Sequence, residues 1–256
     1  MPNEPEILYE DKDLLVLNKP AGYVVNRSDT TSNNITLQDW VEKYTKINYS
    51  FFWEKKEQES EYPSAEEVFV SRSGIVHRLD KETSGVILVA KNPQSFIDLQ
   101  RQFKEREVKK VYLALAHGEI KPADGQISVP VGRLEFNRKR FGVVAGGRES
   151  LTNYHVISKF EYKIPKKQGE ILSLVELYPK TGRTHQIRVH LKHIGHPIFS
   201  DELYAGRKTA RDDRKVLQRV FLHASEITFF HPLTKKEMNI KAELPKELSN
   251  FLKSLA

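Results

Sequence analysis

The chain has 256 residues, of which 39% are hydrophobic and 29% charged, a balance typical of a folded domain with a water-exposed surface. Its formal net charge of +7 favours an anionic partner, most commonly nucleic acid. Cysteine is absent, which excludes disulfide bonds, thiolate metal sites and cysteine nucleophiles. The N-terminus lacks the pattern of a signal peptide, and no apolar run reaches membrane-spanning length. We therefore expect a cytoplasmic protein without a membrane contact.

The first part of the chain predicts two short strands and a helix. Ile7–Tyr9 and Leu14–Leu17 are apolar runs joined by a polar turn. Thr36 is a suitable N-cap for a helix whose apolar residues recur at helical spacing. Residues 54–67 are charged and almost without aliphatic side chains, which predicts an exposed acidic insertion.

A dense polar turn, His77–Gly85, lies between the apolar runs Val68–Val70 and Val86–Ala90. The second run has the length and branching of a buried strand. Arg78 precedes Asp80 by two residues, and a nearby guanidinium favours the ionised form of a carboxylate. From the residues alone, two interpretations stay open: an active-site carboxylate and a solvated turn residue.

Strand patterns dominate the rest of the chain. Asn92 and Pro93 predict a helix start. Further strands are predicted over 111–116, 126–131, 151–160, 171–178, 221–230 and 238–242. Helices are predicted after Gly182 and over 245–255, a basic hairpin or loop over 133–148, and an exposed basic segment over 205–219. Runs of strands with a few interspersed helices indicate the α+β class with a mainly antiparallel sheet.

Several segments, in this order along the chain, resemble the RluA family of pseudouridine synthases. They are Asn18–Gly22, His77–Gly85 with the pattern His-Arg-Leu-Asp-x-x-Thr-Ser-Gly, Lys110–Tyr112, Gly182–His190 and His196–Tyr204. The resemblance implies a mixed, mainly antiparallel sheet with flanking helices and a central catalytic cleft. It also implies a single catalytic domain over 1–256 without a separate N-terminal S4-like domain.

The resemblance also implies roles for individual residues. Asp80 matches the catalytic aspartate, Arg188 the arginine that pairs with it, and Tyr112 the tyrosine that lies against the flipped uracil. Arg78 matches the side chain that helps to displace the target base, a step that costs a few kcal/mol. Residue type alone is also compatible with Tyr112 in the core and with Arg188 on a solvated helix face. The other residues expected at the RNA-binding and base-flipping surface are His77, Arg183, Arg207, Lys208 and Arg211.

The implied reaction isomerises a uridine of a structured tRNA or rRNA to pseudouridine. It exchanges neither electrons nor groups, so no cofactor is expected, and the protein is expected to act as a monomer. A non-catalytic RNA-binding module or RNA chaperone is the alternative, because basic loops would suffice for binding. The intact turn around Asp80 favours the enzyme. We expect Lys19 and Gly22 to be structural.

Two other enzyme classes are disfavoured. The histidines at 185, 190, 193 and 196 do not share one helical face and lack a His-Glu-x-x-His pattern, so no metal site is expected. His-Arg-Leu-Asp differs from a kinase catalytic loop because Leu79 intervenes, and neither a Gly-rich kinase loop nor Asp-Phe-Gly occurs.

Overall fold

The computed structural model describes residues 3–27, 35–47, 64–163 and 169–255, with only the backbone of residues 138 and 139. The chain forms two compact units. Unit 1 comprises Met1–Val108 and Glu226–Ala242, and unit 2 comprises Lys109–Ser225 and Glu243–Ala256. Most of the predicted acidic insertion, residues 54–63, lies outside the described residues. Its last four residues, 64–67, are the N-cap and first turn of a helix.

The described residues of unit 1 form short antiparallel strands and three helices. The strands are β1 (Glu6–Glu10), β2 (Leu14–Lys19) and β3 (Ser84–Ala90), in that order. The helices are α1 (Leu37–Thr45), α2 (Ala65–Ser71) and α3 (Pro93–Lys104). Thr36 caps α1 and Asn92 caps α3, which confirms both predicted helix starts.

The core of unit 1 has two sides because β2 and β3 are covered on both faces. Leu14 and Val16 pack with residues of α2 and α3, whereas Leu15 and Leu17 pack with residues of α1. Successive side chains of a strand point to opposite faces, so a strand covered on both sides is apolar throughout. All seven residues of β3 are buried, which confirms the predicted buried strand.

Unit 2 is built on four antiparallel strands in the order β4, β9, β8, β5. Their bounds are β4 (Lys109–His117), β5 (Asp124–Ser128), β8 (Leu151–Tyr162) and β9 (Glu170–Pro179). A separate hairpin consists of β6 (Val131–Leu134) and β7 (Asn137–Val143). The helices are α4 (Gln186–His193), α5 (Arg207–Asp213) and α6 (Lys246–Leu255).

Two further strands lie in the described part of the chain. The first residues of β10 (Leu222–Phe230) belong to unit 2 and its last residues to unit 1, and β11 is Glu237–Lys241. β11 pairs with the last five residues of β10, again antiparallel. Mainly antiparallel strands with flanking helices confirm the predicted α+β class. In the described parts of the chain, no helix has the length and hydropathy that a membrane crossing requires.

Two sequence predictions need correction. The strand predicted over 126–131 ends at Ser128, and Pro130, which cannot donate to a strand ladder, separates it from β6. The segment 205–219 is not exposed throughout, because Asp213 and Arg219 are buried. Arg219 lies inside unit 2 because its guanidinium donates to the carbonyls of Val220 and Leu222 and to Glu247.

Candidate active site

The turn that carries Asp80 is held by backbone hydrogen bonds within unit 1. The Thr83 amide donates to the Asp80 carbonyl at 3.1 Å, and the Gly22 amide donates to the Lys81 carbonyl at 2.8 Å. The side chain of Leu79 is buried, whereas Asp80 is half-buried. The turn therefore presents a carboxylate from a fixed backbone.

Arg78 has an exposed side chain immediately before the buried Leu79. Alternation along an extended segment sends neighbouring side chains to opposite sides. Leu79 anchors the segment in unit 1, while the guanidinium of Arg78 reaches solvent within two residues of Asp80.

Lys19 explains why the Asn18–Gly22 segment accompanies this turn. Its side chain is fully buried, and its ammonium group donates to the carbonyls of Pro20, Tyr23 and Lys81 at 3.0, 3.1 and 3.3 Å. A buried ammonium needs such acceptors, and here they join the end of β2 to the Asp80 turn. These contacts agree with the structural role expected of Lys19.

His77 fixes the start of the turn. Its Nε2 accepts the backbone N–H of Leu88 at 3.0 Å, and its ring lies 4.9 Å from that of Phe103. Nε2 is therefore the acceptor nitrogen of the ring in this contact. The imidazole thus connects the turn to β3 and α3.

Tyr112 lies in β4 of unit 2, opposite Leu177 of β9, and is half-buried. Lys110, two residues earlier, projects from the same face of the strand. Burial lowers the pKa of the Lys110 ammonium from 10.5 to about 8. This strand face therefore combines an aromatic ring with an ammonium group that loses its proton more readily than an ordinary lysine.

Gln186 holds the segment that leads into α4. Its buried side-chain amide makes four hydrogen bonds. Thr181 Oγ1 and the Arg183 backbone N–H donate to its Oε1 at 2.7 and 3.0 Å. Its Nε2 donates to Leu151 O and Thr152 Oγ1 at 3.1 and 3.0 Å. Arg183 also donates from Nε to the Glu149 carbonyl at 3.2 Å. The predicted site residue Arg183 is thereby fixed against unit 2.

Arg188 is buried in α4 and forms a salt bridge with Asp201. Nε donates to Oδ2 at 2.7 Å and Nη2 donates to Oδ1 at 2.8 Å. The guanidinium carbon lies 5.0 Å from the centre of the Tyr204 ring. The interpretation of Arg188 as a residue of a solvated helix face is therefore wrong, while its pairing with Asp80 stays a prediction.

The basic residues Arg207, Lys208 and Arg211 are exposed on α5. The end of this helix is anchored through the buried Asp213, whose Oδ2 accepts the Ser200 amide at 3.0 Å. Three cations on one short helix give unit 2 a positively charged surface suited to phosphate groups.

Asp201 and Tyr204 contact the predicted site residue Arg188, a contact that the sequence did not reveal. They belong to the segment His196–Tyr204, which resembles the family, but no chemical role followed from that resemblance. The only feature of the sequence that could have pointed to them is that both lie within a segment that resembles the family. Their partner Arg188 lies 13 residues before Asp201, a relationship that periodicity cannot show.

Asp11, Asp13 and His231, all in unit 1, bring ligand-type atoms within 4.8 Å of one another. Burial alone would raise the pKa of Asp11, but hydrogen bonds from the Asp13 amide, the Tyr9 hydroxyl, His231 and the Leu14 amide hold it at about 2. Both oxygens of this carboxylate already accept protein hydrogen bonds, so the group works as a structural junction.

The chain is similar to proteins of one family along most of its length. The model of the RNA pseudouridylate synthase family matches residues 13–193. An uncharacterised RNA pseudouridine synthase of Mycoplasma genitalium is 36% identical over 252 residues, covering 98% of this chain and 70% of that protein. The ribosomal large subunit pseudouridine synthase D of Zymomonas mobilis is 34% identical over 267 residues, covering 99% and 75%.

A solved structure agrees with these sequence relatives. Human RNA pseudouridylate synthase domain containing 1 superposes with a TM-score of 0.65 at 27% identity, covering 98% of this chain and 94% of that one. The family match, the relatives and the shared fold confirm the resemblance of the motifs around Asp80 and Arg188. The chain belongs to the RNA pseudouridylate synthase family, and it is an isomerase that converts uridine in RNA to pseudouridine.

Proposed function

We propose that the protein isomerises a specific uridine of a structured RNA, with Asp80 as the catalytic carboxylate. The observation that supports this proposal is the Asp80 turn, which has the complete family pattern and is hydrogen-bonded to Lys19 at the end of β2 and to Gly22 just after it. A carboxylate that must act on one atom of a bound nucleotide benefits from such a fixed backbone.

The other site residues have roles that fit their positions. Exposed Arg78 fills the space that the flipped uridine leaves, which offsets part of the few kcal/mol that unstacking costs. Tyr112 stacks against the uracil. Arg188 has the role that the resemblance implies, pairing with Asp80, and its guanidinium has five N–H donors, more than the two that Asp201 accepts.

The reaction conserves the elemental composition of the nucleotide. The N1–C1′ bond breaks, the uracil rotates, and a C5–C1′ bond forms. C5 loses its hydrogen to solvent and N1 gains a proton, so the product has the composition of the substrate. This balance requires no redox partner and no group donor, and the chain's own residues bind, orient and move protons.

We propose ribosomal RNA as the first candidate substrate, ahead of transfer RNA. The similar protein of Zymomonas mobilis carries the large ribosomal subunit in its name. The exposed cations of α5 would meet phosphates of such an RNA without reading its bases. The enzyme would act as a cytoplasmic monomer, and His77 and Arg183 would belong to its RNA-binding surface.

Mapping pseudouridines in cellular RNA tests this proposal. Cells that lack the gene should lose pseudouridine at a ribosomal RNA position, and a plasmid with the parent gene should restore it. A plasmid with Asp80→Asn should not. If the loss falls in transfer RNA, the substrate proposal is wrong, and if no position changes, RNA binding without catalysis becomes the better account.

A further inference from the structure

We propose that Asp201 and Tyr204 position Arg188 for the chemical step. They would not touch the RNA themselves. The inference rests on the proposed function, in which Arg188 has the role that the resemblance implies, pairing with the catalytic Asp80. It assigns a role to the segment His196–Tyr204, which neither the motif resemblance nor the proposed chemistry has used.

The first argument is the geometry of the Arg188–Asp201 pair. Both carboxylate oxygens of Asp201 accept from the guanidinium, at 2.7 and 2.8 Å, and this fork sets both the position and the plane of the group. A lysine at this place would supply charge without a plane. The contact therefore fixes the orientation of the Arg188 guanidinium as well as the position of its charge.

Asp201 is itself held in place. It is fully buried, and Oδ1 also accepts the backbone N–H groups of Leu203 and Tyr204, at 3.0 and 3.2 Å. Its carbonyl accepts the Ala205 amide at 2.9 Å. A carboxylate bound to its own turn cannot follow a moving arginine, so Arg188 must adopt the orientation that Asp201 sets.

Tyr204 supports the face of the guanidinium while Asp201 holds its edge. The ring is buried and lies 5.0 Å from the guanidinium carbon, within the range of a cation–π contact. The hydroxyl accepts the Phe141 amide at 3.0 Å and lies 2.9 Å from Nδ1 of His185. These two bonds fix the ring between β7 and the start of α4.

A gain in folding stability alone does not explain why Arg188 and Asp201 are buried as an ion pair. Burying two charges costs desolvation energy that their attraction only partly offsets, and apolar side chains of similar volume often give an equally stable fold. A buried arginine on a fixed carboxylate is better explained by the need for a cation in one orientation. Misplacing a catalytic group by about 1 Å can cost roughly 100-fold in rate.

Single-turnover kinetics at saturating RNA test the proposal. Asp201→Asn should lower the rate of C5 tritium release by roughly 10- to 100-fold, with an RNA Kd within about twofold of the parent. Tyr204→Phe, which keeps the ring and loses the hydroxyl, should lower the rate by a smaller factor. Glu247→Gln is the matched control, because Glu247 also accepts from a buried arginine of unit 2, Arg219, and has no role in the proposed site.

A double-mutant cycle separates positioning from general destabilisation. If Asp201 acts through Arg188, Asp201→Asn should change the rate by less than about twofold in an Arg188→Gln background. Equal effects of Asp201→Asn with and without Arg188 would overturn the proposal. Should Asp201→Asn fail to fold by circular dichroism, Tyr204→Phe decides, and a parental rate in that variant overturns the proposal.

Asp80→Asn in the same assay distinguishes a failure of the proposed function from a failure of the positioning role alone. Tritium release by Asp80→Asn would contradict the proposed function. If Asp80→Asn is inactive while folded Asp201→Asn turns over at the parental rate, the proposed function stands and only the positioning role falls.

Discussion

His117 is bonded to Asp213 inside the core of unit 2, with Nε2 2.9 Å from Oδ2. Its Nδ1 lies 3.0 Å from Glu170, so both ring nitrogens face carboxylates. Burial alone would lower the pKa of His117, but hydrogen bonds and charge from Asp213 and Glu170 raise it from 6.5 to about 9. The ring is an imidazolium at neutral pH.

This imidazolium predicts a loss of stability at alkaline pH. Its contribution is fully present below the unfolded pKa of 6.5 and is lost as pH rises to about 9, a change of up to about 3 kcal/mol. Urea unfolding at several pH values should show this decrease, and His117→Gln should flatten it. His155→Gln is the control, since His155 pairs with Asp124 at the exposed surface. Parallel pH profiles for the parent and His117→Gln would contradict the prediction.

Arg188→Met should lower both stability and turnover. It leaves Asp201 as a buried carboxylate without its guanidinium, which costs about 3–5 kcal/mol of unfolding free energy. Adding Asp201→Asn should restore part of that stability but none of the turnover. Urea denaturation measures the first effect, and single-turnover tritium release measures the second.

Lys159→Met is the control for this change. Lys159 forms an exposed ion pair with Glu119 in the same unit, and such pairs are worth less than about 1 kcal/mol. A stability loss in Arg188→Met no larger than in Lys159→Met would mean that the Asp201 pair is not buried in solution.

The cations of α5 should bind RNA through phosphates. Reversing the charges at Arg207, Lys208 and Arg211 should weaken RNA binding. It should also make the plot of log binding constant against log salt concentration less steep, by about 0.7–0.9 in slope for each phosphate that the protein no longer neutralises. Reversing Lys246 and Lys253, which are exposed on α6, provides the control. An unchanged salt slope in the triple variant would remove α5 from the binding surface.

Tyr112→Phe should keep the ring that stacks on the uracil and remove its hydroxyl. If the hydroxyl takes part in proton transfer, the single-turnover rate should fall while RNA affinity is unchanged. Tyr162→Phe is a suitable control, because half-buried Tyr162 packs on Phe199 and Phe251 at the edge of the core of unit 2. A Tyr112→Phe variant as fast as the parent would reduce Tyr112 to a stacking role.

Local chemistry made part of this protein predictable. Thr36 and Asn92 are caps whose side chains bond their own helices, and β3 is apolar because both of its faces are covered. The turn around Asp80 is likewise contiguous in sequence. Such features depend on near neighbours, and sequence patterns record near neighbours well.

Features that depend on tertiary partners were not predictable. Arg188 and Arg219 are both buried, although charged residues on helices and loops are usually exposed. Each guanidinium can be buried because acceptors distant in sequence take its hydrogen bonds. Asp201 accepts from Arg188, and the Leu222 carbonyl and Glu247 accept from Arg219. Residue type and periodicity carry no information about such partners.

The role of Asp80 is the central claim, and one measurement tests it most directly. Asp80→Asn keeps the shape of the side chain and removes its charge, and an amide is a far weaker nucleophile and base than a carboxylate. The measurement is single-turnover tritium release from RNA labelled at C5 of uridine, with RNA binding and circular dichroism measured on the same preparation. We predict parental folding and RNA affinity with no detectable release. Substantial release by Asp80→Asn would contradict the catalytic role of this carboxylate.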